Sequence, residues 1–387
     1  MSFMTENKLV PKLRFGEFKS EWDMKFGNEV FQSISNKNHD SDLPVLAISQ
    51  EFGAIPRHMI NYKISVTVKS ITSYKIVEVG DFIISLRSFQ GGIEYSNYRG
   101  ICSPAYNILR PHIPIQDNFY KFYLKTFRYI QNLKSKLEGI RDGKMISFKY
   151  FSEIKLPYPS LSEQKKIASF LSSVDDKIQK LNRKKELLQE YKKGVMQKIF
   201  SKELRFKDDN GNDYPDWEEK KLGLISNISI GEFVIKTKQN ANSLYPVFNG
   251  GKSYTGFYDQ FNNEGPKIII SARGANAGFV NFYKNKYWAG NSCYSIDMLD
   301  ECVHNINYIY YYIKFKESSL IDNQQAANIP SVSKREMQSF NIIYPIFKEQ
   351  NKIANFLSSI DKKIDLISNQ LENTKVFKKG LLQQMFV

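Results

Sequence analysis

The chain has 387 residues, of which 42% are hydrophobic, so it is long enough for two or three domains with buried cores. It contains no apolar run of about 18 residues and no signal-peptide core in its polar N-terminus, so we expect a cytoplasmic protein that does not span a membrane. The net charge of +15 suits a polyanionic partner, although lysine-rich proteomes contain many basic proteins without one. The three cysteines, an odd number without metal-ligand spacing, suit a reducing compartment: Cys102, Cys293 and Cys302.

The first globular region, predicted for residues 1–161, contains short β-rich runs followed by a helix. Gly80-Asp81 is a turn signal between two of these runs. An amphipathic, aromatic pattern predicts a helix over Asn118 to Lys136. The predicted strands are Leu43 to Ile48, Ile64 to Val68, Lys75 to Val79, Phe82 to Leu86 and Tyr106 to Leu109.

Residues 162–200 are predicted to form one long helix with an apolar seam. Its apolar residues alternate in spacing between four and three, and Ser162 is the expected N-cap after Pro159. At about 1.5 Å per residue the helix would be about 58 Å long, and a stripe of that length needs a partner along all of it. The apolar seam residues are Ile167, Leu171, Val174, Ile178, Leu181, Leu188, Val195 and Ile199.

The second globular region, residues 201–347, follows the same plan. Leu204-Arg205-Phe206 with Trp217 repeats Leu13-Arg14-Phe15 with Trp22. The two globular regions otherwise share few residues, which predicts similar scaffolds with different surfaces. The expected elements are strands at Tyr245 to Gly251, Lys267 to Ala272, Gly278 to Tyr283 and Ser292 to Met298, and a helix over Asn305 to Lys316.

Residues 348–387 repeat the long helix. From 162 to 348 the offset is 186 residues, without a gap, so that Glu163-Gln164 matches Glu349-Gln350 and Asp175 matches Asp361. Two matched seams in one chain favour antiparallel pairing of the two helices; the alternative is that each helix packs on the surface of its own domain. The second seam consists of Ile353, Leu357, Ile360, Ile364, Ile367, Leu371, Leu381 and Met385.

A globular region followed by a helix of the form E-Q-x-K-I-A-x-F-L-S-S, twice in one chain, closely resembles the specificity subunit of type I restriction-modification systems. The resemblance covers the entire chain. It implies two target recognition domains of α/β (α+β) type, linked by a pair of long antiparallel coiled-coil helices with a pseudo-twofold internal duplication. Its other motifs are Gly80-Asp81 through Cys102-Ser103-Pro104-Ala105-Tyr106, and Tyr245-Pro246 through Gly290-Asn291-Ser292.

By this resemblance the chain is a non-catalytic DNA-recognition subunit without a cofactor of its own. It would bind double-stranded DNA and two methyltransferase subunits, which use S-adenosylmethionine for N6-adenine methylation. Two motor-nuclease subunits, which use ATP and Mg, would complete the restriction enzyme. An antiparallel helix pair would act as a ruler between two recognition domains, for half-sites about 34 Å apart, one turn of DNA.

DNA recognition is expected from polar, basic and aromatic side chains on loops between strands, because phosphate contacts position a protein and base-edge contacts specify the sequence. Each candidate could instead be an ordinary solvated or structural polar group. In the first region the candidates are Arg57, His58, Arg87, Ser88, Gln90, Tyr95, Tyr98 and Arg99. In the second region they are Asn249, Lys252, Tyr254, Arg273, Asn276, Asn291, Gln324 and Gln325.

No motif for catalysis or metal binding is found. The four histidines show no metal-ligand spacing with cysteine or carboxylates. Gly251-Lys252-Ser253 resembles the end of a phosphate-binding loop, but Pro246 stands where such a loop requires glycine. Three alternatives stay open: an enzyme with its own site, a coiled-coil adaptor whose globular ends bind protein, and a complex that methylates without cutting.

Overall fold

A computed structural model describes residues 9–40, 42–60, 71–135, 146–322 and 330–387. The chain divides into two compact units, the first made of Met1–Asn182 with Gln370–Val387 and the second of Arg183–Asn369. Each unit therefore contains one globular region and part of both long helices. The strand predicted at Ile64 to Val68 lies outside the described residues.

The first unit contains a four-stranded antiparallel sheet in the order β2-β9-β6-β7. Arg57–Met59 is a short 3-10 helix. The strands are β1 Asp23–Phe26, β2 Phe31–Ile34, β3 Leu46–Ser49, β4 Gly53–Pro56, β5 Lys75–Val77, β6 Phe82–Ile84, β7 Glu94–Tyr95, β8 Gly100–Cys102, β9 Asn107–Pro111 and β10 Lys155–Tyr158. The helices are α1 Gly27–Val30, α2 Ser88–Gly91, α3 Asp117–Tyr123, α4 Phe127–Ser135, α5 Phe148–Ser152 and the N-terminal part of α6 Leu161–Phe200.

The second unit repeats this topology, with a four-stranded antiparallel sheet in the order β12-β18-β15-β16. Lys236–Lys238 is a 3-10 helix. The strands are β11 Glu218–Lys221, β12 Ser226–Ile230, β13 Tyr245–Phe248, β14 Gly256–Tyr258, β15 Lys267–Ser271, β16 Val280–Tyr283, β17 Trp288–Ala289, β18 Cys293–Met298 and β19 Asn341–Tyr344. The helices are α7 Leu222–Ile225, α8 Ile306–Phe315, α9 Glu317–Asp322, α10 Lys334–Ser339 and the N-terminal part of α11 Phe347–Gln384.

In each sheet one inner strand, β6 or β15, is buried on both faces and is called the central strand here. Successive side chains of a strand point to opposite faces of the sheet, so this strand contributes to two cores. In β6, Phe82 and Ile84 join the core beneath the aromatic helices, while Ile83 packs under the β3–β4 hairpin. In β15, Ile268 and Ile270 face the helices, while Ile269 faces the β13–β14 side. Each unit is therefore layered, with helices on one face of the sheet and a β-hairpin on the other.

The single helix predicted over Asn118 to Lys136 is wrong, because the structure contains two helices, α3 and α4. Thr126 lies between them and is buried. Its hydroxyl donates to the Tyr123 carbonyl at 2.8 Å and accepts the Tyr129 N–H at 3.3 Å. A threonine hydroxyl that serves the backbone in this way competes with helix continuation and caps the next helix.

The repeated Glu-Gln pair ties each globular region to its long helix. Glu163 is buried and receives two hydrogen bonds from the Arg14 guanidinium, at 2.7 and 2.8 Å. The side-chain oxygen of Gln164 accepts the Gln116 N–H at 2.9 Å, and its amide donates to the Pro159 carbonyl. The helix begins one residue earlier than predicted, so its N-cap is Ser160, whose hydroxyl accepts the Glu163 N–H at 3.3 Å.

The second unit repeats the Arg–Glu and Gln contacts with the matching residues and adds a bond from Trp217, whereas the indole nitrogen of the matching Trp22 has no hydrogen-bond partner among the described residues. Glu349 is buried and accepts from Arg205 at 3.2 and 2.9 Å and from the Trp217 indole at 2.8 Å. Gln350 accepts the Asn305 N–H at 2.9 Å and donates to the Pro345 carbonyl. The repeat of the Leu-Arg-Phe and Glu-Gln motifs in the sequence therefore corresponds to one structural joint used twice.

Within each unit, α6 and α11 run antiparallel. In the first unit Ile167 and Leu171 share a core with Leu381 and Met385. In the second unit Val195 and Ile199 share a core with Ile353, Leu357 and Ile360. All sixteen apolar seam residues are buried or half-buried, so burial follows the alternating spacing of four and three.

One lysine in each seam pairs with an aspartate of the opposite helix. In the second unit Lys192 contacts Asp361 at 2.6 Å and lies 4.9 Å from the centre of the Tyr311 ring. In the first unit Lys378 contacts Asp175 at 2.5 Å and lies 5.4 Å from the centre of the Phe122 ring. Lys192 and Lys378, one of the two polar positions in each seam, therefore form matched ion pairs, which specify the antiparallel register.

The buried position of Leu171 makes the seam testable. Leu171→Asp should lower the free energy of unfolding by at least about 3 kcal/mol, because an unpaired carboxylate would replace a fully buried side chain. Denaturant unfolding of the purified chain measures this loss. Leu187→Asp, on the same helix but 47% exposed, is the matched control, expected within about 0.5 kcal/mol of wild type. Equal losses in the two variants would contradict the assigned seam.

The ion pair in the second unit gives a separate test of register. Lys192→Asp places two carboxylates side by side and should cost about 1–3 kcal/mol of unfolding free energy. Adding Asp361→Lys restores an opposite-charge pair and should recover a large part of that loss, although the Tyr311 hydroxyl would lose its acceptor. A double variant whose loss equals the sum of the two single losses would show that these residues do not interact.

Candidate nucleic-acid interface

In the first unit, the β3–β4 hairpin is fastened to the loop that follows the central strand β6. The Gln50 amide donates to the Arg87 carbonyl at 3.1 Å. Gly53 has φ of 73°, and a Cβ there would lie 2.9 Å from the Tyr95 carbonyl oxygen, so glycine is required at this close approach. The hairpin therefore brings the loop after β6 and the β7 region together at one surface.

The positive charges of two arginines act on Tyr106 in this unit. Burial raises the pKa of the Tyr106 phenol, and the guanidinium groups of Arg57 and Arg87 act against that rise. Lys75 donates to the Tyr106 carbonyl at 2.7 Å. The Nε of Arg57 is buried and has no hydrogen-bond partner among the described residues.

Four other candidates of the first region are exposed or half-buried. His58 and Gln90 are exposed, and Tyr98 is half-buried against the core under the hairpin. Arg99 forms a 3.2 Å ion pair with Glu78 in which both side chains are exposed. An exposed pair of this kind contributes little stability, so the Arg99 guanidinium is available to a phosphate or a base edge.

Ser88 and Tyr95 belong to the scaffold. Ser88 is buried, and its hydroxyl accepts the Ser85 N–H at 2.9 Å. The Tyr95 ring packs edge-on against Phe82, and burial with the nearby Asp117 carboxylate raises the pKa of its phenol to about 12. These side chains hold the loop and the sheet, and their contact with DNA stays a prediction.

The second unit fastens its hairpin in the same place. The Ser271 hydroxyl donates to the Gly251 carbonyl at 3.1 Å. Gly250 has φ of 76°, and a Cβ there would lie 3.0 Å from the Arg273 carbonyl oxygen. The Asn249 side-chain oxygen accepts the Ser292 N–H at 3.2 Å, which makes Asn249 a structural link to the loop before β18.

This arrangement brings most of the second set of candidates together. Lys252, Tyr254 and Arg273 are exposed around the hairpin turn, and Asn276 and Asn291 are half-buried in the adjoining loops. The surface combines two cations, an aromatic ring and amides, which can contact phosphates and base edges. The remaining two candidates, Gln324 and Gln325, lie outside the described residues.

A correspondence between the two arginines was missed in the sequence. Ile84-Ser85-x-Arg87 and Ile270-Ser271-x-Arg273 share the 186-residue offset of the long helices. The same offset relates Gly92 to Gly278, which have φ of 86° and 88°. In both units the arginine follows the central strand, and its backbone carbonyl oxygen lies against the hairpin. Extending the helix offset into the globular regions would have revealed this pair.

Three further properties of the described residues are metal-ligand clustering, the protonation of the cysteines and the hydrophobicity of the helices. Among the described residues, no group of three His, Cys, Asp or Glu side chains is placed to hold a metal ion. Burial raises the pKa of the Cys102 and Cys293 thiols to about 12, so both stay protonated at neutral pH. In the described part of the chain, none of the helices is long and apolar enough to cross a bilayer.

Comparison with known proteins identifies the fold and the family. Residues 19–190 and 214–374 match the family model described as the type I restriction modification DNA specificity domain. A putative type I restriction enzyme specificity subunit of Methanocaldococcus jannaschii is 25% identical, over 96% of this chain and 94% of its own length. A second specificity subunit of that organism is 33% identical over 43% of this chain and 40% of its own length.

Solved structures share the architecture at low sequence identity. The S subunit of a type I restriction-modification system from M. genitalium superimposes with a TM-score of 0.64 at 16% identity, and covers 98% of this chain and 99% of its own. A chain from a structure of type I restriction-modification complex assembly and conformational transition has a TM-score of 0.52 at 16% identity, with 97% and 96% covered. At these identities the likeness establishes the fold.

Proposed function

Because the chain belongs to the family of type I restriction-modification DNA specificity subunits, we propose that its two units each recognise one half of a bipartite DNA site. The observation that carries this proposal is the repeated arrangement of an arginine after the central strand and a β-hairpin fastened beside it. The scaffold is the same in both units, while the exposed side chains around it differ. Two different half-sites are what such a pair of surfaces would recognise.

Phosphate and base contacts divide between different side chains in this proposal. Arg87 and Arg273 stand at equivalent positions, so they serve best as phosphate contacts that position each unit. The residues that differ between the units, such as Gln90 and Asn291, are the better candidates for base-edge contacts, since amides recognise adenine and other bases by hydrogen bonding. The net charge of +15 supports the sequence-independent part of binding.

The chemistry would belong to other subunits. We infer that the chain is non-catalytic and acts in the cytoplasm with two methyltransferase and two motor-nuclease subunits. S-adenosylmethionine would bind to the methyltransferase, and ATP with Mg to the motor-nuclease. One structural relative comes from a structure of type I complex assembly, which supports an assembled state for this chain as well.

The long helices offer a surface for the methyltransferase. Tyr191 and Phe377 occupy the same position of the 186-residue repeat, and both are about half exposed. Each has further exposed apolar neighbours in its unit, Leu187 beside Tyr191 and Val376 beside Phe377. These residues lie outside the seam, so the packing of the two long helices does not bury them. Exposed apolar residues at repeated positions indicate a contact with another protein.

The DNA-recognition proposal is tested by the methylome of a restriction-deficient host that expresses this chain with its cognate methyltransferase subunit. Single-molecule sequencing that detects N6-methyladenine should reveal one new split motif, with two short unlike half-sites, a constant gap and one modified adenine on each strand. No new motif, with both proteins soluble and associated, would contradict the proposal and favour a protein-binding adaptor.

The methyltransferase contact is tested by Tyr191→Lys and Phe377→Lys. Each substitution should weaken association with the methyltransferase subunit about tenfold or more, because aromatic anchors dominate interface energies. Isothermal titration or size-exclusion chromatography measures the affinity, and unfolding of the free chain should be unchanged. Gln197→Lys, at an exposed position of α6, is the matched control. Wild-type affinity in both aromatic variants would place the contact elsewhere.

A further inference from the structure

In both units the fastened hairpin exposes an aromatic side chain in the turn before its second strand. Phe52 is 54% exposed and Tyr254 is 51% exposed. Each hairpin region begins with a Pro-Val pair, Pro44-Val45 or Pro246-Val247, and the aromatic residue stands eight positions after the proline in both. A single exposed aromatic residue is ordinary on a protein surface. The same residue class at the same turn, in two units with otherwise different loops, indicates a shared task.

The backbone beneath each aromatic residue is held in place. The Ser49 hydroxyl accepts the N–H groups of Glu51 and Phe52 at 3.2 and 3.3 Å. The Tyr254 ring packs against Phe257 with 4.9 Å between ring centres, and the next residue, Thr255, donates its N–H to the Val247 carbonyl at 2.8 Å. Each ring is therefore presented to solvent from a rigid turn, which lowers the entropy lost when it is bound.

Each ring is carried by a hairpin that touches the backbone of an exposed arginine. The hairpin that carries Phe52 is bonded to the Arg87 carbonyl, and the hairpin that carries Tyr254 lies against the Arg273 carbonyl. Both arginine side chains are exposed. An exposed ring on a hairpin that lies against an arginine-bearing loop suits the way some proteins wedge a residue between DNA base steps while arginines hold the backbone.

The charge of Glu51 favours contact of the hairpin tip with DNA bases over contact with the DNA phosphate backbone. Its exposed carboxylate precedes Phe52 at the tip of the hairpin. A carboxylate next to a phosphate would be repelled, whereas among base edges it can accept a hydrogen bond from the cytosine amino group. The tip of the first hairpin therefore suits a position within a groove.

We propose that Phe52 and Tyr254 are wedges that insert at one base step of each half-site and partly unstack it, while Arg87 and Arg273 hold the adjacent phosphates. This inference rests on the proposed function. Unstacking at the recognition surface lowers the work needed to extrude the target adenine, because a base with a disturbed stack leaves the duplex more readily. The wedges would thus link recognition to the reaction of the partner methyltransferase.

The test uses the complex of the full chain with its methyltransferase. The DNA duplexes carry the motif that the methylome experiment identifies. Phe52→Ala and Tyr254→Ala should each weaken binding of the intact duplex about tenfold or more, the loss typical of a base–aromatic stack. A mismatch placed at the step where the wedge acts should restore much of that affinity, since the step is already open. 2-Aminopurine scanned through each half-site should brighten with wild type and stay dim in one half-site for each variant.

Three controls separate the wedge from general damage. Phe52→Trp and Tyr254→Phe keep a ring at the turn and should bind as wild type. Phe127→Ala and Phe233→Ala remove exposed rings of the same two units away from the hairpin turns and should leave binding unchanged.

Two outcomes would overturn the proposal. In the first, both alanine variants bind and brighten 2-aminopurine as wild type does. In the second, they lose affinity equally on intact and mismatched duplexes, which would make the rings simple groove contacts. If the wild-type complex itself fails to prefer the motif over an unrelated duplex, the proposed function fails instead, and the wedge proposal fails with it.

Discussion

Two buried carboxylates are the constraint on which the rest of the structure depends. Glu163 and Glu349 are at most 2% exposed, and each is neutralised by an arginine from the segment that leads into its globular region. A buried charge costs several kcal/mol unless it is paired and hydrogen-bonded, and losing one partner costs about 3–5 kcal/mol. The chain therefore cannot place its globular region on the long helix in another way without leaving a charge unpaired. This joint gives each recognition surface a defined position on the helix of its unit.

The layered arrangement of each unit explains how one scaffold carries two surfaces. The aromatic helices and the long-helix seam bury one face of the sheet, and their side chains have little freedom to vary because they share a close-packed core. The hairpin on the other face is held by a side-chain-to-backbone hydrogen bond in each unit, to the loop after β6 in the first and to the end of β15 in the second. Side chains at the hairpin turn can change without disturbing that core. Specificity can therefore change while the scaffold stays the same.

The seam shows how a duplicated helix keeps a defined partner. Apolar contacts alone would tolerate a shift of register by one heptad. The pairs of Lys192 with Asp361 and of Lys378 with Asp175 disfavour such a shift, because it would leave half-buried charges without partners. Both pairs also place the lysine near an aromatic ring of the globular region. The same residues thus stabilise the helix pair and its contact with the recognition unit.

The sequence by itself determined the features that depend on local spacing: the duplication, the long helices, the seam residues and the family resemblance. It did not reveal contacts that join residues far apart in the chain. The break at Thr126 depends on a buried hydroxyl, and the scaffold roles of Ser88 and Asn249 depend on turns that bring distant amides to their side chains. Only the tertiary structure showed that Phe52 and Tyr254 are exposed in hairpin turns that touch the loops of equivalent arginines, because hairpins are placed by the sheet beneath them. Periodicity records which face of an element is buried, whereas a loop's neighbours are decided by the packing of the whole unit.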